Sequence, residues 1–177
     1  MQAFFLTSFP ARCIIILTAF REVTALNSFC VFEMEYTGGA TAVDIVPVPF
    51  SDELYSRYKR IYNECFFEMR KALDIEPYSF YSDILQLADK RDSIFLLMDG
   101  DIITGSVACL GNEIDDLIVN KLYQGKGFGR KLLMWAIAHI REQSDAPIRL
   151  TVAEWNQRAY RLYLQSGFTV VKKVRVN

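Results

Sequence analysis

Short apolar runs alternate with helical spacings along most of this chain. Leu54, Tyr58, Ile61, Tyr62 and Cys65 fall near one face of a predicted helix that is capped by Ser51 and runs to about Leu73. Asp52 and Glu53 suit its first turn. Before it, Ala42 to Val48 reads as a strand ended by Pro47 and Pro49. After it, Pro77 interrupts and a second helix is predicted over Phe80 to Asp89. Three strands follow, at Ser93 to Met98, Ile102 to Leu110 and Glu113 to Val119. The turn signals Asp99-Gly100 and Gly111-Asn112 join them into an antiparallel meander.

The period then changes. Leu132, Leu133, Ala136, Ile137 and Ile140 mark the inner face of a helix over Gly127 to Ser144. Ile148 to Ala153 reads as a strand, Asn156 to Ser166 as a helix with Gly167 as its C′ residue, and Phe168 to Val174 as a closing strand. Strand, helix, strand implies a parallel β-α-β unit with a right-handed crossover. The fold class is therefore α/β, a mixed sheet with helices on both faces.

Residues 1–39 read differently and are set apart as an N-terminal appendage, with the domain proper at 40–177. The apolar run from Cys13 to Phe20 is too short to span a bilayer. A secretory signal would want basic residues before it; only Arg12 is there, and no clean small-residue cleavage site follows. An extra buried strand and a stretch upstream of a start at Met34 remain as readings, with a signal or anchor behind them. Gly38-Gly39 would be the hinge.

Composition narrows the function classes. With 51% hydrophobic and 14% aromatic residues the chain is no disordered segment, and 177 residues suggest one domain. A net charge of -1 supplies no basic field for nucleic acid, and no membrane role is expected. Cys13, Cys30, Cys65 and Cys109 form no C-x-x-C pair, so reduced thiols in a cytoplasmic protein are expected rather than a zinc site or disulfide framework. His139 is the one histidine, which excludes a metal cluster built on several. It is read as structural, and Cys109 as a core thiol rather than a nucleophile.

The chemistry concentrates in Gln124-Gly125-Lys126-Gly127-Phe128-Gly129-Arg130, a turn from strand to helix. Glycines there permit positive φ and close approach of a ligand. The free N–H groups of the helix's first turn point into the same space, which suits a diphosphate. Lys126, Arg130 and Lys131 add positive charge. A P-loop string is absent, and a dinucleotide fingerprint would need glycine where Arg130 stands.

These residues resemble the pyrophosphate motif of the GNAT acetyltransferases, Gln/Arg-x-x-Gly-x-Gly/Ala. Gln124, Gly127 and Gly129 fit it, and Gly125 matches a common extra glycine. Leu117-Ile118-Val119 resembles the strand whose backbone pairs with the pantetheine arm; Lys121 stands where the family often has proline. Asn156, Ala159, Leu162, Tyr163, Gly167 and Phe168 are similar to its second motif. Seven residues separate Asn156 from Tyr163, about two turns on one helical face. Taken alone, Asn156 could be only a helix cap and Tyr163 only a core aromatic.

The resemblance implies a GNAT-like fold and acetyl-CoA as co-substrate without a metal. It implies that Asn156 contacts the cofactor, that Tyr163 protonates the leaving thiolate, and that Glu113 serves as base. A backbone N–H near Val119 would hold the oxyanion, and transfer would be direct, to a primary amine of a small molecule, peptide or protein. By strand alternation Asp115 shares the face of Glu113 and Asp116 takes the other; Glu113 also reads as a hairpin residue facing solvent. The alternative function is an acyl-CoA-binding module without transfer chemistry. The family ends with two strands after the second motif, whereas this sequence leaves room for one. The edge so exposed would be covered by the N-terminal stretch or by a second copy in a homodimer.

Overall fold

The computed structural model describes residues 28–39 and 43–176 of the 177. The apolar run at 13–20, Cys13 and part of the strand expected at 42–48 lie outside the described residues. Strands β1 (Phe29–Tyr36), β2 (Val48–Pro49), β3 (Ile94–Asp99), β4 (Ile102–Leu110), β5 (Glu113–Val119), β6 (Arg149–Ala153) and β7 (Phe168–Val176) form one sheet in the order β2-β3-β4-β5-β6-β1-β7. Among the described residues only the β5–β6 pair is parallel. Three α-helices are described: α1 (Tyr55–Ala72), α2 (Phe128–Arg141) and α3 (Gln157–Gln165). None is long and apolar enough to cross a membrane.

The helices divide between the two faces. Leu132, Leu133, Ala136, Ile137 and Ile140 of α2 pack with Met34, Val107, Ile114, Leu150 and Phe168. Tyr58, Ile61 and Tyr62 of α1 pack on the other face with Leu96, Ile103 and Ile118. Both sets follow the helical spacing of apolar residues, so the meander, the crossover and the two-faced core stand as expected.

The largest departure is β1. It lies between β6 and β7, antiparallel to both: Met34 is level with Leu150 on one side and Val170 on the other. Met34 is fully buried, so residues 29–36 belong to the domain's sheet and to its core, not to an appendage. A second strand beside β7 is supplied from the N-terminal side, inside the sheet rather than at its edge. Gly38 and Gly39 then lead away; Tyr36 Oη donates to the Gly39 carbonyl at 2.8 Å.

Smaller corrections have local causes. The strand expected from 42 to 48 shrinks to Val48–Pro49 against β3, where the prolines limit pairing. Ser51 makes no capping hydrogen bond; a 3-10 turn at Asp52–Leu54 precedes α1 instead. No α-helix forms over 80–89. Phe80 and Tyr81 turn inward onto Tyr62, and only a 3-10 turn at Ile84–Leu87 follows, capped reciprocally by Asp83 and Gln86. Asn156 does cap α3, its Oδ1 accepting from Ala159 N at 3.1 Å. Gly167 has φ +98, as a C′ glycine should.

Gly105 in β4 shows how tightly the sheet's centre is packed. A Cβ there would lie 2.7 Å from the Ile118 carbonyl oxygen and 2.7 Å from Leu132 Cδ1. The oxygen belongs to backbone and cannot turn aside. Gly105→Ala is expected to cost about 2–3 kcal/mol, the scale of core overpacking, read as a lowered midpoint in urea unfolding.

Candidate active site

β5 and β6 begin as neighbours and then part. Their parallel pairing covers only Glu113 with Arg149 and Ile114 with Leu150. A bulge in β5 against β4, with Asp116 at φ +46, turns the strand just where the two separate. Past that point a groove of about 640 Å³ opens between β5 and α3. Leu117, Ile118 and Val119 line one wall, Asn156, Leu162 and Tyr163 the other.

The glycine turn closes one end of the groove. Gly125, Gly127, Phe128, Gly129 and Arg130 all line it, as does Gln124. Gly125 has φ +79 and Gly127 φ +85, and a Cβ on either would meet nothing within 4 Å. Gly127 is the N-cap of α2 and no side chain caps that end. The helical bonds start with Lys131 N to the Gly127 carbonyl at 3.1 Å, so the amides of Phe128, Gly129 and Arg130 have no intrahelical acceptor. An open, positively polarised cradle of this kind fits a diphosphate.

The cations are arranged differently from the sequence expectation. Lys131 pairs with Asp44 at 2.5 Å. Lys126 does not line the groove; its Nζ lies 5.2 Å from the Tyr123 ring centroid. Arg158 of α3 takes its place at the groove and donates to Gln124 Oε1 at 2.8 Å. Gln124 in turn donates to the Val119 carbonyl at 3.0 Å, tying turn, β5 and α3 together.

A smaller cavity of about 150 Å³ lies on the α1 side. Leu117, Asn156, Tyr163, Phe66 and Met69 line both spaces, so the two meet at Tyr163. Asp115 and Asp116 line the smaller one. Simple alternation put these carboxylates on opposite faces, but the bulge brings both to one buried lysine. Lys90 Nζ is 3.6 Å from Asp115 Oδ2 and also pairs closely with Asp116. Tyr62 Oη donates to Asp116 Oδ1 at 3.4 Å.

The electrostatics follow from burial. Loss of water raises Asp116, the neighbouring Asp115 charge raises it further, and Lys90 opposes both without cancelling them. Burial alone would lower Lys90, but Asp116 and then Asp115 outweigh it and hold its pKa well above the usual value. Glu113 lines neither space. Burial first, then repulsion from Asp115 and Glu33, raises its pKa to about 7 against the pull of Arg149.

The two residues set aside as structural sit accordingly. His139 stacks on Trp135 at 4.8 Å and meets Phe95 edge-on. Cys109 is buried in the core, and burial pushes its thiol up to about 12. Sequence reasoning did not name Arg70, Lys90 or Arg158, and it placed Asp115 and Asp116 only by strand alternation, without a role in the site. Adjacent Asp115-Asp116 with Glu113 was the available signal; two cations more than twenty residues upstream carried none.

Comparison with known proteins fits this geometry. The sequence pattern of the Acetyltransferase (GNAT) family matches residues 55–168, well over half of the chain. Among curated proteins none matches. A GNAT-family protein from Novosphingobium aromaticivorans superposes with TM-score 0.63 at 15% identity, over 85% of this chain and 63% of that one. A Pyrococcus horikoshii protein gives 0.60 at 24% identity, over 75% and 96%. YycN from Bacillus subtilis gives 0.55 at 22%, over 76% and 98%. The chain spans 63%, 57%, 51% and 52% of the first four solved structures it matches. Identities this low speak for a shared fold, while the family pattern runs through both the glycine turn and the Asn156–Tyr163 helix. The chain belongs to the GNAT acetyltransferase family.

Proposed function

We propose that this protein transfers an acetyl group from acetyl-CoA to a primary amine by direct attack. The observation that carries the reading is the position of Tyr163, on the boundary between a groove that fits the cofactor and a separate carboxylate-lined cavity. The amides of the glycine turn and Arg158 would hold the diphosphate, with the pantetheine arm along Leu117 to Val119 and past Asn156.

The acceptor ammonium gives one proton to the Asp115–Asp116 pair and becomes nucleophilic. Its lone pair forms the C–N bond while a backbone N–H near Val119 steadies the oxyanion. The C–S bond breaks, the Tyr163 hydroxyl protonates the sulfur, and the second proton lost from nitrogen restores the phenol. A cytoplasmic setting and a possible second copy belong to the same reading.

Thiol release from acetyl-CoA with a panel of amines tests it. Tyr163→Phe should slow release about a hundredfold, the low end for a general acid, because a thiol ionises near roughly pH 8.5 and leaves well. Its coenzyme A affinity should stay unchanged. Tight coenzyme binding with no release on any amine would leave the acyl-CoA-binding module. With β1 seated beside β7 in the sheet, the single strand after α3 does not favour that alternative.

One observation favours Glu113 as the base instead: its pKa of about 7 is well matched to the task. A base works only when deprotonated, so activity falls as pH drops through its pKa. If Glu113 serves, Glu113→Gln should abolish the acid limb of kcat/KM near pH 7. With the Asp115–Asp116 pair as base, Glu113→Gln keeps that limb and Asp116→Asn removes the activity.

A further inference from the structure

The smaller cavity contains a buried arginine that the transfer chemistry does not use. Arg70, on α1, lines it and is 3% exposed. Its Nε has no hydrogen-bond partner. Nη1 reaches the Pro77 carbonyl only at 3.4 Å, and the guanidinium lies over the Phe80 ring at 4.7 Å. A buried N–H left unpaired is costly, and the guanidinium fork matches the two oxygens of a carboxylate, as it does those of a phosphate.

Charge and size narrow the occupant further. Arg70 is the cation on the wall and Asp115 and Asp116 the anions. Lys90, which is not on the wall, pairs with both carboxylates, so these four groups together carry no net charge while the wall offers a cationic and an anionic position. A ligand carrying a net charge would upset that balance in a desolvated site; a zwitterion would not. Most of the remaining wall is apolar, with Phe66, Met69, Leu73 and Ile75 from α1 and its end and Phe29 and Val31 from β1, while Thr151 and Asn156 add polar groups. At about 150 Å³ the space is that of a cavity that admits benzene, room for one modest side chain.

We propose that the acceptor is a small free amino acid with an apolar side chain, its amine at Asp115–Asp116 beside Tyr163 and its carboxylate on Arg70. The assignment rests on the acetyl-transfer reading for its chemistry, but the binding site stands on the cavity itself. A peptide or protein N-terminus is disfavoured, because its first residue has an amide where the carboxylate should be.

The test uses the full chain with acetyl-CoA and compares leucine with isoamylamine, leucinamide and a leucine-initiated peptide. Leucine should show kcat/KM about ten- to hundredfold above the three compounds lacking the carboxylate, the worth of one charge-assisted hydrogen bond. Arg70→Gln should erase that preference while coenzyme A affinity stays within about twofold. Because Arg70 is buried, the wild-type comparison is decisive even if the variant misfolds. Equal or better use of isoamylamine overturns the proposal. Thermal shift in the presence of coenzyme A is the second readout. Stabilisation by leucine and not by isoamylamine, without thiol release, would keep the amino-acid site and defeat the transfer reading. Absence of both preferences rejects the site.

Discussion

Met34→Asp should leave the protein unable to fold. Met34 is fully buried at the middle of β1, flanked by Leu150 and Val170 on the neighbouring strands. A carboxylate there would have no cation within the core cluster it joins, which is built from apolar side chains. Burying it costs several kcal/mol even after it takes up a proton, against a total stability of about 5–15 kcal/mol for a domain of this kind. Losing β1 would also strip both β6 and β7 of a partner at once, since they do not pair with each other. The expected result is insoluble or molten protein, seen as loss of near-ultraviolet circular dichroism and of a cooperative melt. Met34→Leu, of similar volume, should cost less than about 1.5 kcal/mol. A cooperative melt for the aspartate variant close to that of the wild type would show that β1 is dispensable.

Gly127→Val should abolish useful binding of coenzyme A while leaving most of the fold intact. The backbone at Gly127 has φ +85, which a β-branched residue reaches only at a cost of about 1–3 kcal/mol. The turn would relieve that strain by shifting the amides of Phe128, Gly129 and Arg130. Losing two charge-assisted hydrogen bonds of about 2 kcal/mol each is about a thousandfold in affinity. Gly129→Ala is the control. A Cβ there meets Val119 Cγ2 at 3.5 Å and Leu162 Cδ2 at 3.6 Å, ordinary contact, so affinity should change only a few-fold. Calorimetry with coenzyme A distinguishes them; equal affinity for both variants would remove the glycine turn from the binding site.

The parts of the site visible in the sequence were those encoded locally. The glycine turn and the Asn156–Tyr163 helix each fit within a dozen residues, where φ, capping and face are decided by neighbours. The groove between β5 and α3 follows from them once the crossover is assumed. What local reasoning missed depended on distant pairing. Alternation assigned Asp116 to the wrong face because a bulge reversed the period after Asp115. Nothing local singled out Lys90 or Arg70, which tertiary packing buries. Residues 80–89 carry helical spacing, but Phe80 and Tyr81 gain more by turning onto Tyr62 than a short helix would return.

The place of β1 also sets the order in which the molecule can be completed. Ser28 and Arg175 are joined by a hydrogen bond although they stand 147 positions apart in the sequence. Of the described strands β1 is made before the others, yet its two partners β6 and β7 are made after all the rest. Until they emerge its apolar side chains have no strand to pair with, and the growing chain carries a sticky segment. Contacts this distant make for slow folding. Pausing elongation before the codons for β6 should lengthen the time this protein spends bound to chaperones.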